Sequence, residues 1–102
     1  MLNQTVLVGR LVEEPTIKEL ENGKKVSEIT LAVQRSYKNS EGEYEKDLIP
    51  VVLWAGIAEN TIEYVHKEDL LGIKARLQVR ENKIELVAEK VTFLSSKKGD
   101  EE

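Results

Sequence analysis

The chain has no cysteine. Disulfides and thiolate-held metals are therefore excluded, and the redox compartment is left open. It has a single histidine, His66, where the helical pattern ends. A lone imidazole without a second ligand nearby gives neither a metal site nor a catalytic centre. No apolar run approaches the length needed to cross a bilayer. No basic segment followed by an apolar stretch opens the chain, so no secretory signal is expected and a cytoplasmic location is the expectation. Cationic excess is lacking too. Fifteen Lys and Arg stand against 19 Asp and Glu, giving a formal net charge of −4. Taken as a sum, that argues against a polyanionic ligand.

Distribution matters more than the sum. Much of the acidity lies at the margins, in Glu13, Glu14, Glu19 and Glu21 and at Asp100-Glu101-Glu102. The cations Arg10, Lys18, Lys24, Lys25, Arg35, Lys38, Lys46, Lys74, Arg76, Arg80 and Lys83 are free to form a stripe. The alternative is a solvated surface of mixed charge. Glu13-Glu14 and Glu43/Glu45 have no nucleophile, base or metal cluster for company, so no enzyme and no cofactor are expected. Asn22-Gly23-Lys24-Lys25 lacks the glycine spacing and the following helix of a phosphate loop.

What is present is one domain of 102 residues with an ordinary hydrophobic share of 40%. Val6-Leu7-Val8 reads as a strand. Gly9 inside it marks a bulge or a close backbone approach. Asn22-Gly23 signals a hairpin, because both residues tolerate positive φ. Ile29, Leu31 and Val33 then alternate with Glu28, Thr30 and Ala32, as in a half-buried strand. Lys38 to Glu43 reads as an exposed loop. From Tyr44 to Trp54, Ile49, Val51 and Leu53 share one face, while Leu48, Pro50, Val52 and Trp54 share the other. Ala58, Ile62 and Val65 give a helical pattern. Glu68-Asp69 stands where a turn glycine would be. Leu70 to Arg80 is a strand with Leu71, Ile73, Ala75, Leu77 and Val79 on one face, and Asn82-Lys83 turns it into Ile84 to Leu94. The order is three strands, a short helix and two strands, which suits an all-β, five-stranded OB-fold Greek-key barrel. An SH3-like barrel or an open α+β sheet has the same count.

The series Leu2-Asn3-Gln4-Thr5-Val6-Leu7-Val8-Gly9-Arg10-Leu11, Leu31-Ala32-Val33-Gln34-Arg35-Ser36-Tyr37, Leu48-Ile49-Pro50-Val51-Val52-Leu53-Trp54, Ala58-Glu59-Asn60 and Tyr64 resembles the DNA-binding domain of bacterial single-stranded DNA-binding proteins. The resemblance runs from Met1 to about Leu94. It implies the OB barrel over 1–94, a short polar acidic tail over 95–102, and a non-catalytic binder of single-stranded DNA in replication, recombination or repair.

Single strands are held without sequence readout by aromatic platforms and a cationic groove. Trp54 is the leading platform. If Ile49, Val51 and Leu53 fill the barrel, the indole lies outside it. The alternative is a Trp packed under the helix or in a subunit interface; the resemblance favours the DNA-facing surface. Tyr37, between Arg35 and Lys38, sets a ring between two cations, and the family carries an aromatic at the matching position. Its alternative is a Tyr closing the barrel end. Tyr37 and Arg35 share parity with Ile29, Leu31 and Val33, so either the strand bends there or the barrel ends first. Arg10, Arg76 and Arg80 are the candidate backbone contacts, and Lys74 shares parity with Arg76 and Arg80. Leu48 and Asn82 stand where the family commonly has aromatics. Leu48 offers apolar contact without stacking, and each stack lost weakens binding by on the order of 1–3 kcal/mol. Tyr44 and Tyr64 are read as structural, Tyr64 packing the helix end.

Lys97-Lys98-Gly99-Asp100-Glu101-Glu102 carries acidity without the proline-phenylalanine anchor of typical family tails, so recruitment of proteins through the tail is not expected. Val6 and Val8 opposite Leu7 and Leu11 make the first strand apolar on both faces, as in a subunit interface; the resemblance implies a homotetramer. The competing class is an OB protein-interaction module with little DNA affinity, which the net charge and missing aromatics suit.

Overall fold

In a computed structural model of the chain, the described residues are 1–95. The elements are β1 (Thr5–Leu11), β2 (Lys18–Glu19), β3 (Lys25–Lys38), β4 (Tyr44–Trp54), α1 (Ala55–Tyr64), β5 (Leu70–Arg80) and β6 (Lys83–Ser95). Of the tail expected over 95–102, Ser95 is the last residue of β6, and the remainder lies outside the described residues.

The strands hydrogen-bond in the order β1-β5-β6-β4-β3-β2, and β1 also pairs with β3. That second pairing closes the sheet into a barrel, the OB arrangement. One strand serves both seams. Thr5 to Arg10 lie against β5, and Arg10 and Leu11 lie opposite Ala32 and Leu31 of β3. Gly9 sits where β1 passes between them. A Cβ there would lie 2.6 Å from the Ala32 carbonyl oxygen, so this is the close backbone approach that the sequence suggested. The short β2, opposite Lys25 and Val26, adds an edge that the sequence reading omitted.

Alternation fills the interior. Ser27, Ile29 and Leu31 stand opposite Leu53, Val51 and Ile49. Ile29, Leu31, Val51 and Leu53 form one cluster with Leu11, Leu71, Ile73, Ala75 and Ala88, which Ala58 of α1 and Val65 just beyond it also join and against which Ile49 packs. Burying a Leu or Ile side chain fully stabilises by about 1.5–3 kcal/mol. The cluster stops part-way along β5. Leu77 and Val79 share parity with Ile73 and Ala75 but are exposed, because the β5–β6 hairpin runs on past the end of the barrel. The shared face expected from the sequence is thus kept, but only its first half is buried.

Local chemistry sets the turns. At Leu20–Lys24, the Gly23 amide donates to the Leu20 carbonyl and the Leu20 amide to the Lys24 carbonyl, both at 2.8 Å. Asn22 Oδ1 accepts from the Lys24 amide at 3.0 Å. Only Gly23 has positive φ (84°), so this is a longer turn closed by a left-handed glycine, not a two-residue one. The two-residue turn is Glu81-Asn82, with φ of 53° and 66° between paired Arg80 and Lys83. That backbone is what a tight hairpin needs, one residue earlier than the sequence placed it. In the β3–β4 turn, Asn39 Oδ1 accepts from the amides of Glu41 and Glu43. Glu68 adopts φ 77°, as the turn reading required.

The helix begins three residues before the expected Ala58. Trp54 occupies its N-cap in extended conformation without a capping side-chain bond. Tyr64, expected to pack the helix end, stands exposed. It lines a groove with Ile57, Val65, Val91 and Phe93.

Candidate nucleic-acid interface

The outward face of β3 and β4 follows from their register. Trp54 lies opposite Val26, Val52 opposite Glu28, Pro50 opposite Thr30, Leu48 opposite Ala32 and Lys46 opposite Gln34. One row therefore carries Trp54, Val52, Pro50, Leu48 and Lys46, the parity expected of Lys46, Leu48, Val52 and Trp54. Leu48 is 65% exposed. Arg10 is brought to this row by its pairing with Ala32. A hollow lined by Arg10, Ala32, Lys46 and Glu68 lies there, and Arg10 Nη1 donates to the Glu68 carbonyl at 3.0 Å.

Opposite this row stands the β5–β6 hairpin. A groove of about 420 Å³ separates the two, lined by Ile49, Pro50 and Val52 on one side and Leu77, Ile84 and Leu86 on the other, with Glu28, Lys83 and Glu85. Val52 lies opposite Val87 where β4 meets β6, and both are buried at that crossing. The indole of Trp54 is half-buried at the end of β4. The Arg80 guanidinium carbon lies 5.9 Å from its ring centre, within cation–π range.

Lys74, Arg76 and Arg80 do share the outward face of β5. Lys74 is cross-strand from Val6 and Lys90. Arg76 reaches Glu89 at 3.6 Å and Gln78 at 3.4 Å. Arg80 Nε donates to Glu85 Oε1 at 2.8 Å. That hydrogen bond, and then the Glu85 charge, stabilise the charged guanidinium and raise its pKa.

The far end of β3 resolves the parity question. Gln34 lies opposite Lys46 and Lys38 opposite Tyr44, so Arg35, Ser36 and Tyr37 oppose Glu45 alone. The strand bends. Beyond the bend Tyr37 is 64% exposed. Arg35 does not stand free in a trough. Its Nε and Nη2 grip both oxygens of Asp47 at 3.1 and 2.9 Å, and Nη1 reaches Glu45 at 3.2 Å. This bidentate pairing raises the Arg35 pKa and holds the Asp47 carboxyl below its ordinary range. Lys38 Nζ sits 5.7 Å over the ring of Tyr44, a half-exposed aromatic that the sequence reading left structural. Its signal was present, since Lys38 and Tyr44 flank a short polar turn.

The geometry thus brings Arg80 to Trp54 and places Leu48 on the same row as Trp54, with Arg10 across Ala32 from Leu48. Tyr37, Lys38 and Arg35 sit together beyond the strand bend, and Lys74 and Arg76 lie on β5. The sequence reading missed the apolar lip of Leu77, Val79 and Ile84, whose exposure spacing alone does not show. Glu13-Glu14 remains a structural pair. Glu14 accepts from the Lys67 amide at 2.7 Å and meets His66 Nδ1 at 3.2 Å. Among the described residues no group of three or more His, Asp or Glu is placed to hold a metal, and no helix is long and apolar enough to cross a membrane.

Residues 2–94 match the model of the single-strand binding protein family. The chain belongs to that family. It is 45% identical over 106 residues to "Single-stranded DNA-binding protein 2" of Staphylococcus aureus strain Mu50, covering 95% of this chain and 75% of the relative. It is 41% identical over 106 residues to "Single-stranded DNA-binding protein B" of Bacillus subtilis strain 168, covering 95% of this chain and 94% of the relative. Among solved structures, a deletion mutant of the single-stranded DNA binding protein from Thermus aquaticus matches with a TM-score of 0.75 at 23% identity. That match covers 94% of this chain and 52% of the other, and it supports the family's barrel fold.

Proposed function

We propose that this protein binds single-stranded DNA without reading its sequence, coating strands exposed in replication, recombination or repair, and acts without catalysis or cofactor. The observation that carries the reading is the groove between β4 and the β5–β6 hairpin, with Leu77 and Ile84 exposed along its hairpin wall. Soluble proteins seldom leave such a surface uncovered without a ligand for it. Family membership and the names of the relatives agree with a nucleic-acid strand as that ligand. Bases stack on Trp54 and Tyr37 and touch Leu48, while Arg10, Arg35, Lys38, Lys74 and Arg76 neutralise phosphates. A DNA ligand also places the protein in the cytoplasm with the nucleoid.

The same reading makes the protein a homotetramer. Val6 and Val8 project from the outward face of β1, 65% and 50% exposed. A second copy covers them. Light scattering checks this, and a mass near the 11.6 kDa of one chain would refute it.

Because the chain has one tryptophan, fluorescence reports on Trp54 directly. Added poly-dT quenches it, and log affinity falls linearly with log salt, by about 0.7 per phosphate neutralised. Trp54→Ala weakens binding, read by anisotropy of a labelled strand, by on the order of 1–3 kcal/mol, more than it lowers stability. Unchanged emission at low salt would point instead to a protein-interaction module. Intact affinity in a Trp54→Ala protein of collapsed stability would refute the stacking role of Trp54 instead.

A further inference from the structure

Trp54 and Arg80 approach each other from the end of β4 and the end of β5. Two planar groups in direct contact lie about 3.5 Å apart. The 5.9 Å between the Arg80 guanidinium carbon and the indole centre is wider than that. A third planar group between them needs roughly 7 Å along the ring normal, so Arg80 must move outward to admit one. Arg80 is anchored as well. Its Nε is taken by Glu85, whose side chain is only 14% exposed and whose other oxygen lies 3.5 Å from Gln78 Nε2. Neither terminal nitrogen of Arg80 is hydrogen-bonded among the described residues, so the guanidinium can swing outward while Nε stays held.

We propose that Trp54 and Arg80 form a clamp that takes one nucleobase between the indole and the guanidinium, with Glu85 as the positioning residue. The inference rests on the single-stranded DNA reading and changes what Arg80 does within it. Guanidinium is planar, delocalised and weakly hydrated, so it covers the face of a base as a ring does, whereas an ammonium does not. Glu85 at 2.8 Å offsets its charge, and Glu81 and Glu28 add to the negative field around it. The paired guanidinium therefore attracts a phosphate less than a free one does, while stacking on a neutral base does not depend on that charge. Arg80 thus acts as a stacking plate and not as a backbone contact.

The test is poly-dT titration of the full-length protein at several salt concentrations, with Arg80→Lys, Arg80→Ala, Glu85→Gln and Glu85→Ala alongside. Arg80→Lys loses about tenfold or more in affinity, nearly as much as Arg80→Ala, as one lost stack requires. Both keep the wild-type salt slope, while Arg80→Ala, which leaves the largely buried Glu85 carboxylate without its partner, melts lower than Arg80→Lys. Glu85→Gln, which still accepts from Nε, binds more tightly than Glu85→Ala, which falls to the Arg80→Lys level. Wild-type affinity in Arg80→Lys overturns the clamp. So does a salt slope reduced by about 0.7 in Arg80→Ala, the mark of a phosphate contact, and so does wild-type binding by Glu85→Ala. Absence of any quench in the wild-type protein overturns the DNA reading and the clamp together.

Discussion

Gly9→Ala tests how the barrel closes. The new Cβ would stand 2.6 Å from the Ala32 carbonyl oxygen, 3.0 Å from Val33 Cγ2 and 3.1 Å from the Ala32 carbonyl carbon. An unstrained carbon–oxygen contact is about 3.3 Å or more, so β1 and β3 must part by roughly 0.7 Å. The obstacle is backbone, which cannot rotate aside as a side chain does. Overpacking of this kind costs about 1–3 kcal/mol. Gly9 has no positive φ, so alanine gains about 0.4–1 kcal/mol by restricting the unfolded chain. The net effect is a loss of about 1–2 kcal/mol, or some 5–15 °C in Tm for a domain of this size. Urea denaturation at fixed protomer concentration measures it as a lower midpoint with unchanged slope. Gly56→Ala is the control. Gly56 lies in α1, where an added Cβ meets nothing within 4 Å, and the change stabilises by up to about 1 kcal/mol. A Gly9→Ala protein as stable as wild type would refute both the close approach and the seam built on it.

The buried Ser27 hydroxyl has no hydrogen-bond partner among the described residues. Ser27→Ala removes an uncompensated polar group and is expected to stabilise by about 1 kcal/mol; a lower melting temperature would show that the hydroxyl is satisfied. Asp47 should titrate, by carbon-detected NMR, below its ordinary value of 3.8, because Arg35 hydrogen-bonds to its charged form. The stability linked to this depressed pKa is fully present above pH 3.8 and is lost as pH falls through the depressed midpoint. In Arg35→Gln the Asp47 midpoint returns toward 3.8, and an unmoved midpoint would break the assignment.

Alternation made most of the barrel legible. Ile29, Leu31, Ile49, Val51 and Leu53 each have polar or outward neighbours on both sides, and a half-buried strand permits one assignment only. Glycine at position 9, inside a strand of branched residues, pointed to the close approach actually found. Parity says which face a residue occupies but not where the interior ends, so the exposure of Leu77 and Val79 was not legible in it. The helix start was hidden because Trp54 is not a capping residue and Gly56 weakens the local pattern. The site was legible in kind more than in arrangement. Trp54, Leu48 and Lys46 fell on the expected face. The Arg35–Asp47 pair, by contrast, depends on a strand bend, and the meeting of Arg80 with Trp54 depends on how a hairpin crosses the barrel wall. Neither is periodic, so neither leaves a trace in spacing.

The grip of Asp47 and Glu45 on Arg35 bears on how ions take part in association. A strand that docks its phosphate on this guanidinium must evict tethered carboxylates. The two carboxylates stay close by and leave the cluster at a net charge of −1, so the phosphate gains little from the guanidinium's charge. Counting arginines on this surface therefore overstates the ionic-strength sensitivity of the complex, and a shallow dependence is compatible with many cationic contacts.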